Sequence, residues 1–241
     1  MSNVVVTKNA IKNASLEYII SQRYQMNSNL QHTMSDISSL CWIKYADDEK
    51  MFFLNMSLIE REFKYRIYDI FFVSLSKSEQ ILLKEYFKNK SSFEKISFMI
   101  AISSSQLVKV KNKLISEYKD LLQFNFLPSM LFDLRFMANI AEVLEEYVSV
   151  INAYKKKNMV FSEAWLDYIY SSFKKVTKII SNAQKILHSD VEIPFFHKIL
   201  AVKQQNPRLQ IQEISSICGV SGFYVSKTIN YYKNFVFSDL E

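Results

Sequence analysis

Two glycines, Gly219 and Gly222, stand three positions apart in a chain of 241 residues that contains no others. Barrels, sandwiches and phosphate-binding loops spend glycine wherever a tight turn needs positive φ or a close backbone approach. With two glycines and three prolines, this chain lacks that turn chemistry. Long helices joined by short serine- and asparagine-rich turns need almost none of it. The expected fold is therefore all-α. Hydrophobic residues make up 49% of the sequence and charged residues 22%, enough apolar material for a packed core and too little charge for a disordered chain.

The formal net charge of +6 is compatible with an anionic partner, nucleic acid first. Cys41 and Cys218 make no disulfide framework, which points to a reducing, cytoplasmic setting. The opening MSNVVVTKNAIKNASLEY lacks the apolar core of a secretion signal. The greasiest segment, YDIFFVSLS, is too short to span a bilayer. The matches to N-x-[ST] at Asn13 and Asn55 carry no weight without export. The lysine, asparagine, isoleucine, phenylalanine and serine bias is that of an AT-rich bacterial or phage gene.

Helix start signals punctuate the first half. A first helix is expected over Ala14–Tyr24 and a short one around Met34–Tyr45, with a turn at Ala46-Asp47-Asp48. Capping-box spacing occurs at Ser57/Glu60, Ser76/Glu79, Ser91/Glu94 and Ser103/Gln106. Ile59, Phe63, Ile67, Ile70 and Phe71 form a helical stripe after the first of these. QFNFLPS, Gln123–Ser129, reads as a linker between an N-terminal domain, 1–122, and a C-terminal one, 130–241. A long helix follows over Met130–Tyr154, with Met137, Ile140, Ala141, Leu144, Val148 and Ile151 on one face. A second runs over Ser162–His188 and buries Trp165, Ile169, Phe173, Val176, Ile180, Ala183 and Leu187. The two should pack as an antiparallel hairpin, and three shorter helices close the chain.

Two segments carry the pattern of a helix-turn-helix. That motif needs a small residue at the helix crossing, a turn residue that tolerates positive φ, and apolar residues filling the wedge. In 211–233, Ile214 is the inner apolar residue and Ser215 the small one. Cys218, Gly219 and Val220 form the turn, and Val225, Ile229, Tyr232 and Val236 form the inner face. The outward face carries Phe223, Tyr224, Ser226, Lys227, Asn230 and Lys233. In 93–119, Ile96, Ser97, Ile100, Ala101 and Ile102 take the matching places, and Leu107, Val110, Leu114 and Leu121 line the inside. Here the outward face has Ser104, Ser105, Gln106, Lys109, Asn112 and Lys113, and the turn residue is alanine. These types suit phosphates and base edges in double-stranded DNA.

Leu75–Leu122 resembles the four-helix DNA-binding domains of LuxR-type regulators and of sigma-factor region 4, with Leu75, Ser76 and Glu79 matching the LTxxE opening of the former. It is also similar to phage late-gene activators of the RinA/ArpU type, in KEYFKNK followed by ISSSQLVKVKNKLIS. ISSICGVSGFYVSKTINYYK resembles the first helix-turn-helix of AraC-type regulators, at Ser221, Tyr224, Val225, Ser226 and Lys227. Both resemblances depart from the full families. The AraC type carries a second motif downstream of this one, and the LuxR type ends with its motif. Ligand or phosphorylation control is therefore not carried over.

Other features are read blandly. His188, Asp190, Glu192 and His197 form a polar interhelical loop rather than a metal site, and His32 is alone. Lys155–Lys157 is a solvated helix end, favourable with the helix dipole. No nucleophile–base set, phosphate loop or cofactor signature has supporting context, so no enzyme activity, cofactor or metal is expected. The expectation is an all-α chain with two helix-turn-helix modules joined by a long helical hairpin. Its expected function is that of a sequence-specific DNA-binding transcription regulator, an activator by the sigma-like resemblance. It would self-associate through 130–188, with RNA polymerase as a further partner. One rival is an adaptor that uses the same folds to bind protein; a second, the DNA-binding part of a recombinase or replication initiator, needs catalytic carboxylates, a tyrosine nucleophile or an NTP site, and no such set is supported.

Overall fold

The computed structural model describes residues 8–25, 49–127, 129–155 and 163–238. Among them every regular element is helical and no strand occurs. The chain divides into two compact units, Met1–Asn125 and Phe126–Glu241.

The first unit holds α1 (Lys8–Gln25), α2 (Glu49–Val73), α3 (Lys77–Leu83), α4 (Phe93–Ile100) and α5 (Ser104–Leu122). A π turn, Lys84–Lys88, extends α3. Two capping boxes form where the sequence places them. Glu79 Oε2 accepts from the Ser76 backbone N–H at 2.9 Å, and Gln106 Oε1 accepts from that of Ser103 at 3.4 Å. Two others do not. Ser57 lies inside α2, because residues from Glu49 onward are already helical and leave no free N–H groups to cap. The cap of α4 is Ser92, whose Oγ accepts from the Lys95 N–H at 3.4 Å, while Ser91 Oγ donates to Glu85 Oε2 at 2.9 Å. Helix α1 begins at Lys8, earlier than the expected Ala14. The expected helix around Met34–Tyr45 and the turn at Ala46-Asp47-Asp48 lie outside the described residues.

The core of this unit is aromatic. Tyr118 of α5 is fully buried, stacks on Phe71 at 5.9 Å and meets Tyr68 edge-on at 5.4 Å. Its hydroxyl donates to the Lys64 carbonyl of α2 at 2.7 Å, so the polar tip is satisfied. Helix α1 is tied on by two charge pairs. Arg23 meets Asp69 at 2.7 Å, and Lys111 meets Glu17 at 2.9 Å while lying over the Tyr86 ring. Lys111 is thus a buried member of α5 rather than part of its outward face.

The second unit opens on a 3-10 turn, Met130–Phe132, where a helix was expected. It continues through α6 (Leu134–Lys155), α7 (Glu163–Leu187), α8 (Phe196–Gln205), α9 (Ile211–Cys218) and α10 (Gly222–Val236). Asp133 Oδ1 accepts from the Phe136 N–H at 2.9 Å and separates the turn from α6. Helices α6 and α7 pack together as the hairpin reading requires. Their buried seams run Met137, Ile140, Leu144, Tyr147, Ile151 and Trp165, Ile169, Ser172, Val176, Ile179, Ala183, Ile186. Both alternate steps of three and four, the spacing of a coiled-coil seam. The expected stripe on α7 drifted off this seam at Phe173, Ile180 and Leu187, which are half-buried. Ala141 and Val148 of α6 are half-buried for the same reason.

The hairpin does not stand apart from the C-terminal helices, since α7 also packs on α10. Buried Asn182 of α7 donates from Nδ2 to the carbonyls of Val236 and Ser238, both at 3.2 Å, and so closes the C-terminus of α10. Asn182→Leu keeps the branched outline of the side chain and leaves those carbonyls unpaired. We expect a loss of about 1–3 kcal/mol in chemical denaturation. A change under a few tenths would show that water replaces the amide.

Candidate nucleic-acid interface

Helices α4 and α5 are joined by three residues, Ala101–Ser103, and α9 and α10 by three, Gly219–Ser221. The first turn residue is left-handed in both: Ala101 at φ 54, ψ 38 and Gly219 at φ 66, ψ 35. The third is extended in both: Ser103 at φ −60, ψ 148 and Ser221 at φ −69, ψ 148. The two pairs keep one register from the start of the first helix to the start of the second. Adding 118 to Phe93, Ile100, Ser104 and Ala101 gives Ile211, Cys218, Gly222 and Gly219, the same four landmarks in the second pair.

The wedge between α9 and α10 is filled by buried Ile214, Cys218 and Val225 with Ile199 of α8; Val220, Tyr224 and Ile229 pack around them. Ser215 fits at the crossing and donates from Oγ to the Val220 carbonyl. Lys198 of α8 donates to the Cys218 carbonyl at 2.8 Å and satisfies the end of α9. Thr228, Tyr232 and Val236 complete the buried side of α10, with the Tyr232 hydroxyl donating to Leu131 at 3.0 Å. In the first pair Ile96, Leu107, Leu114, Ile115, Tyr118 and Leu121 are buried. Val110, expected inside, is half-buried, because Lys111 and Ile115 turn inward in its place.

The outward faces are mostly as expected. Ser105, Gln106, Lys109, Asn112 and Lys113 are exposed on α5, and Ser104 is half-exposed at its first position. Gln106 is committed to the cap through Oε1, so only its NH₂ remains for a ligand. Lys113, itself exposed, pairs at 3.5 Å with the half-buried Glu117 one turn on, a long contact of small energy. On α10, Phe223, Lys227 and Asn230 are exposed, and Ser226 is half-exposed. Tyr224 departs from expectation: it packs against the wedge and offers only part of its ring. Lys233 is half-buried, close enough to Lys203 to act on it. Burial and then Lys233 hold the Lys203 ammonium below the usual lysine range, and its Nζ donates to the Leu209 carbonyl at 2.7 Å. Val108 and Tyr231, not expected on the outward faces, are also exposed there.

Neither α5 nor α10 has an acidic residue in its first turn. Their N-termini therefore present a positive dipole end that no carboxylate offsets. Gly222, at the start of α10, keeps an ordinary backbone. A Cβ there would touch Ile211 Cγ2 at 3.5 Å, a normal contact.

Elsewhere, His188, Asp190, Glu192 and His197 are exposed, and no group of three or more metal-binding side chains occurs among the described residues. Cys218 is a free, buried thiol. No described helix is long and apolar enough to cross a membrane. Compared with family models, curated proteins and solved structures, the chain matches none of them.

Proposed function

We propose that the chain is a sequence-specific DNA-binding transcription regulator whose α4–α5 and α9–α10 pairs act as two helix-turn-helix modules. One observation carries this reading. The same helix, left-handed turn and second helix with an extended serine at its N-cap position occurs twice, each time presenting an exposed lysine and asparagine from a helix with no acid in its first turn. The mechanism is occupancy. Lys109, Lys113, Lys227 and Lys233 hold phosphates and set the register. Ser105, Gln106, Asn112, Phe223, Tyr224 and Asn230 face the base edges, with Ser104 and Ser226 beside them. Activation through RNA polymerase is the mode the sigma-like resemblance favours. Self-association through 130–188 gains no support from apolar exposure, because none of the exposed large apolar side chains lies on that segment among the described residues. The second DNA contact comes from two modules on one chain, from self-association, or from both.

A second reading has its own observation. Phe98 is 93% exposed and Met99 50% exposed on α4, and Ile217 on α9 is 57% exposed at the place matching Met99. Apolar groups there suit a protein partner, as an adaptor of the transcription machinery would need. A salt titration separates the two. For the regulator, log affinity for genomic fragments falls steeply and linearly with log salt, with slope near 0.9 per phosphate neutralised, about −4 for four lysine contacts. A sequence-specific excess should survive at physiological salt. Absence of DNA binding even at low salt leaves the adaptor.

A further inference from the structure

We infer that the two units read unlike half-sites that share one pair of contacts and differ at the contact of the first residue in the exposed stripe. The inference rests on the DNA-binding reading above and names the kind of site that reading requires.

The duplication extends beyond the turns. Each unit places a 25-residue helix, α2 or α7, against its last helix, α5 or α10. Each packs a shorter helix, α3 or α8, on both members of the helix pair that follows. Each packs a preceding helix, α1 or α6, on the long one. Two copies of one architecture present their last helices in the same structural role.

The register then makes the exposed residues comparable one by one. On α5, Ser105, Lys109 and Asn112 follow i, i+4, i+7 spacing and form one exposed stripe. On α10, Phe223, Lys227 and Asn230 do the same at the equivalent positions. The last two members are identical and the first differs. Lysine holds a phosphate, and asparagine can pair both N6 and N7 of adenine, so both half-sites share that feature. The first member sits in the first turn of the helix, the part that reaches base edges when such a helix enters the major groove. Serine there has a hydroxyl that serves any polar base edge. Phenylalanine has no donor or acceptor; the base group that suits it is the thymine methyl. Phe223 is 69% exposed, with its ring edge-on to Tyr224 at 5.6 Å, so the ring is available. The α10 half-site therefore contains a thymine that the α5 half-site does not require.

The test is in vitro selection from random duplex DNA with the full chain, followed by affinity measurement on the selected site. Two half-sites are expected, alike at the asparagine contact and unlike next to it, with thymine in one. Replacing that thymine by deoxyuridine removes only the methyl and should weaken binding about fourfold. Phe223→Ser should abolish the difference between thymine and uracil, and Ser105→Phe should create one in the other half-site. Both positions are exposed, so both variants should keep the fold. Two identical half-sites, a single one, or a uracil effect that survives in Phe223→Ser would overturn the inference and leave DNA binding intact. Failure to enrich any sequence would overturn both.

Discussion

Lys227→Glu should lower affinity for the selected DNA site by about 100-fold, and Lys109→Glu by a similar factor. The two lysines hold equivalent exposed positions on α10 and α5. A carboxylate in place of either ammonium forfeits one phosphate contact and sets a like charge against the backbone. With two modules on one chain, the second engagement is intramolecular and multiplies the first. Disengaging either module removes that multiplication, so each single variant should fall close to the affinity of one module. The double variant should retain little specific binding. Fluorescence anisotropy at fixed ionic strength measures this directly. Lys227→Gln is the milder partner: it should reduce the salt slope by about 1 and weaken all sequences alike. Lys174→Glu, on the exposed side of α7, makes the same change in net charge on a helix outside both helix-turn-helix pairs. Equal losses in Lys174→Glu and Lys227→Glu would mean that only overall charge matters. Loss at one module alone would assign binding to that unit.

How far the sequence foretells these positions depends on what fixes each one. The turns were legible, because positive φ and a small crossing residue leave a narrow signature that Gly219 and Ser215 meet, and Ala101 and Ser97 meet more loosely. The caps at Ser76 and Ser103 were legible for the same reason: a local hydrogen-bond pair needs only two residues at one spacing. The same spacing misled at Ser57, where whether a box caps anything depends on the residues upstream. At Ser91 it was displaced by one position, because the Glu85 carboxylate captures the Ser91 hydroxyl.

Faces were harder than elements. An apolar count places Val110 inside α5, yet the side that turns inward packs toward α1, whose Glu17 holds Lys111 in a part-buried pair. Tyr224 reads as an outward aromatic until the buried cluster of Ile199, Ile214, Cys218 and Val225 provides a wall for it. The seams of α6 and α7 follow each other at 3.5-residue spacing, whereas the expected stripe kept the period of a lone helix and slid off at Phe173 and Ile180. Each miss is a case of tertiary packing choosing among faces that local periodicity leaves nearly equal. The most informative feature, the 118-residue register, was present within the two helix pairs at five identical positions: Ile96/Ile214, Ser97/Ser215, Ser103/Ser221, Lys109/Lys227 and Asn112/Asn230. Spread over two helices, they become a pattern only once both turns are known to occupy one conformation.

That shared conformation yields the second large effect, since the chain places glycine and alanine in the same left-handed turn. Gly219→Val should destabilise the second unit by about 2 kcal/mol or more, because a β-branched residue at φ 66 is strained whatever the space around it. No heavy atom lies within 4 Å of the position its Cβ would take, so the cost is one of backbone conformation rather than crowding. A fall of about 5–10 °C in the melting temperature of that unit is expected. Ala101 already bears this strain at φ 54. Ala101→Gly should therefore raise the stability of the first unit by a net of about 0.5–1 kcal/mol, the relief of strain exceeding the entropy that glycine adds to the unfolded chain. Gly222 supplies the control. Its φ is not positive, and its Cβ would make an ordinary contact with Ile211, so Gly222→Ala should be neutral or stabilise by up to about 1 kcal/mol. Calorimetry of the three variants in the full chain decides the matter. If Gly219→Val costs no more than Gly222→Ala, the left-handed turn is not what holds α9 against α10. If Ala101→Gly destabilises, the first turn owes its shape to contacts of the alanine methyl and not to tolerated strain.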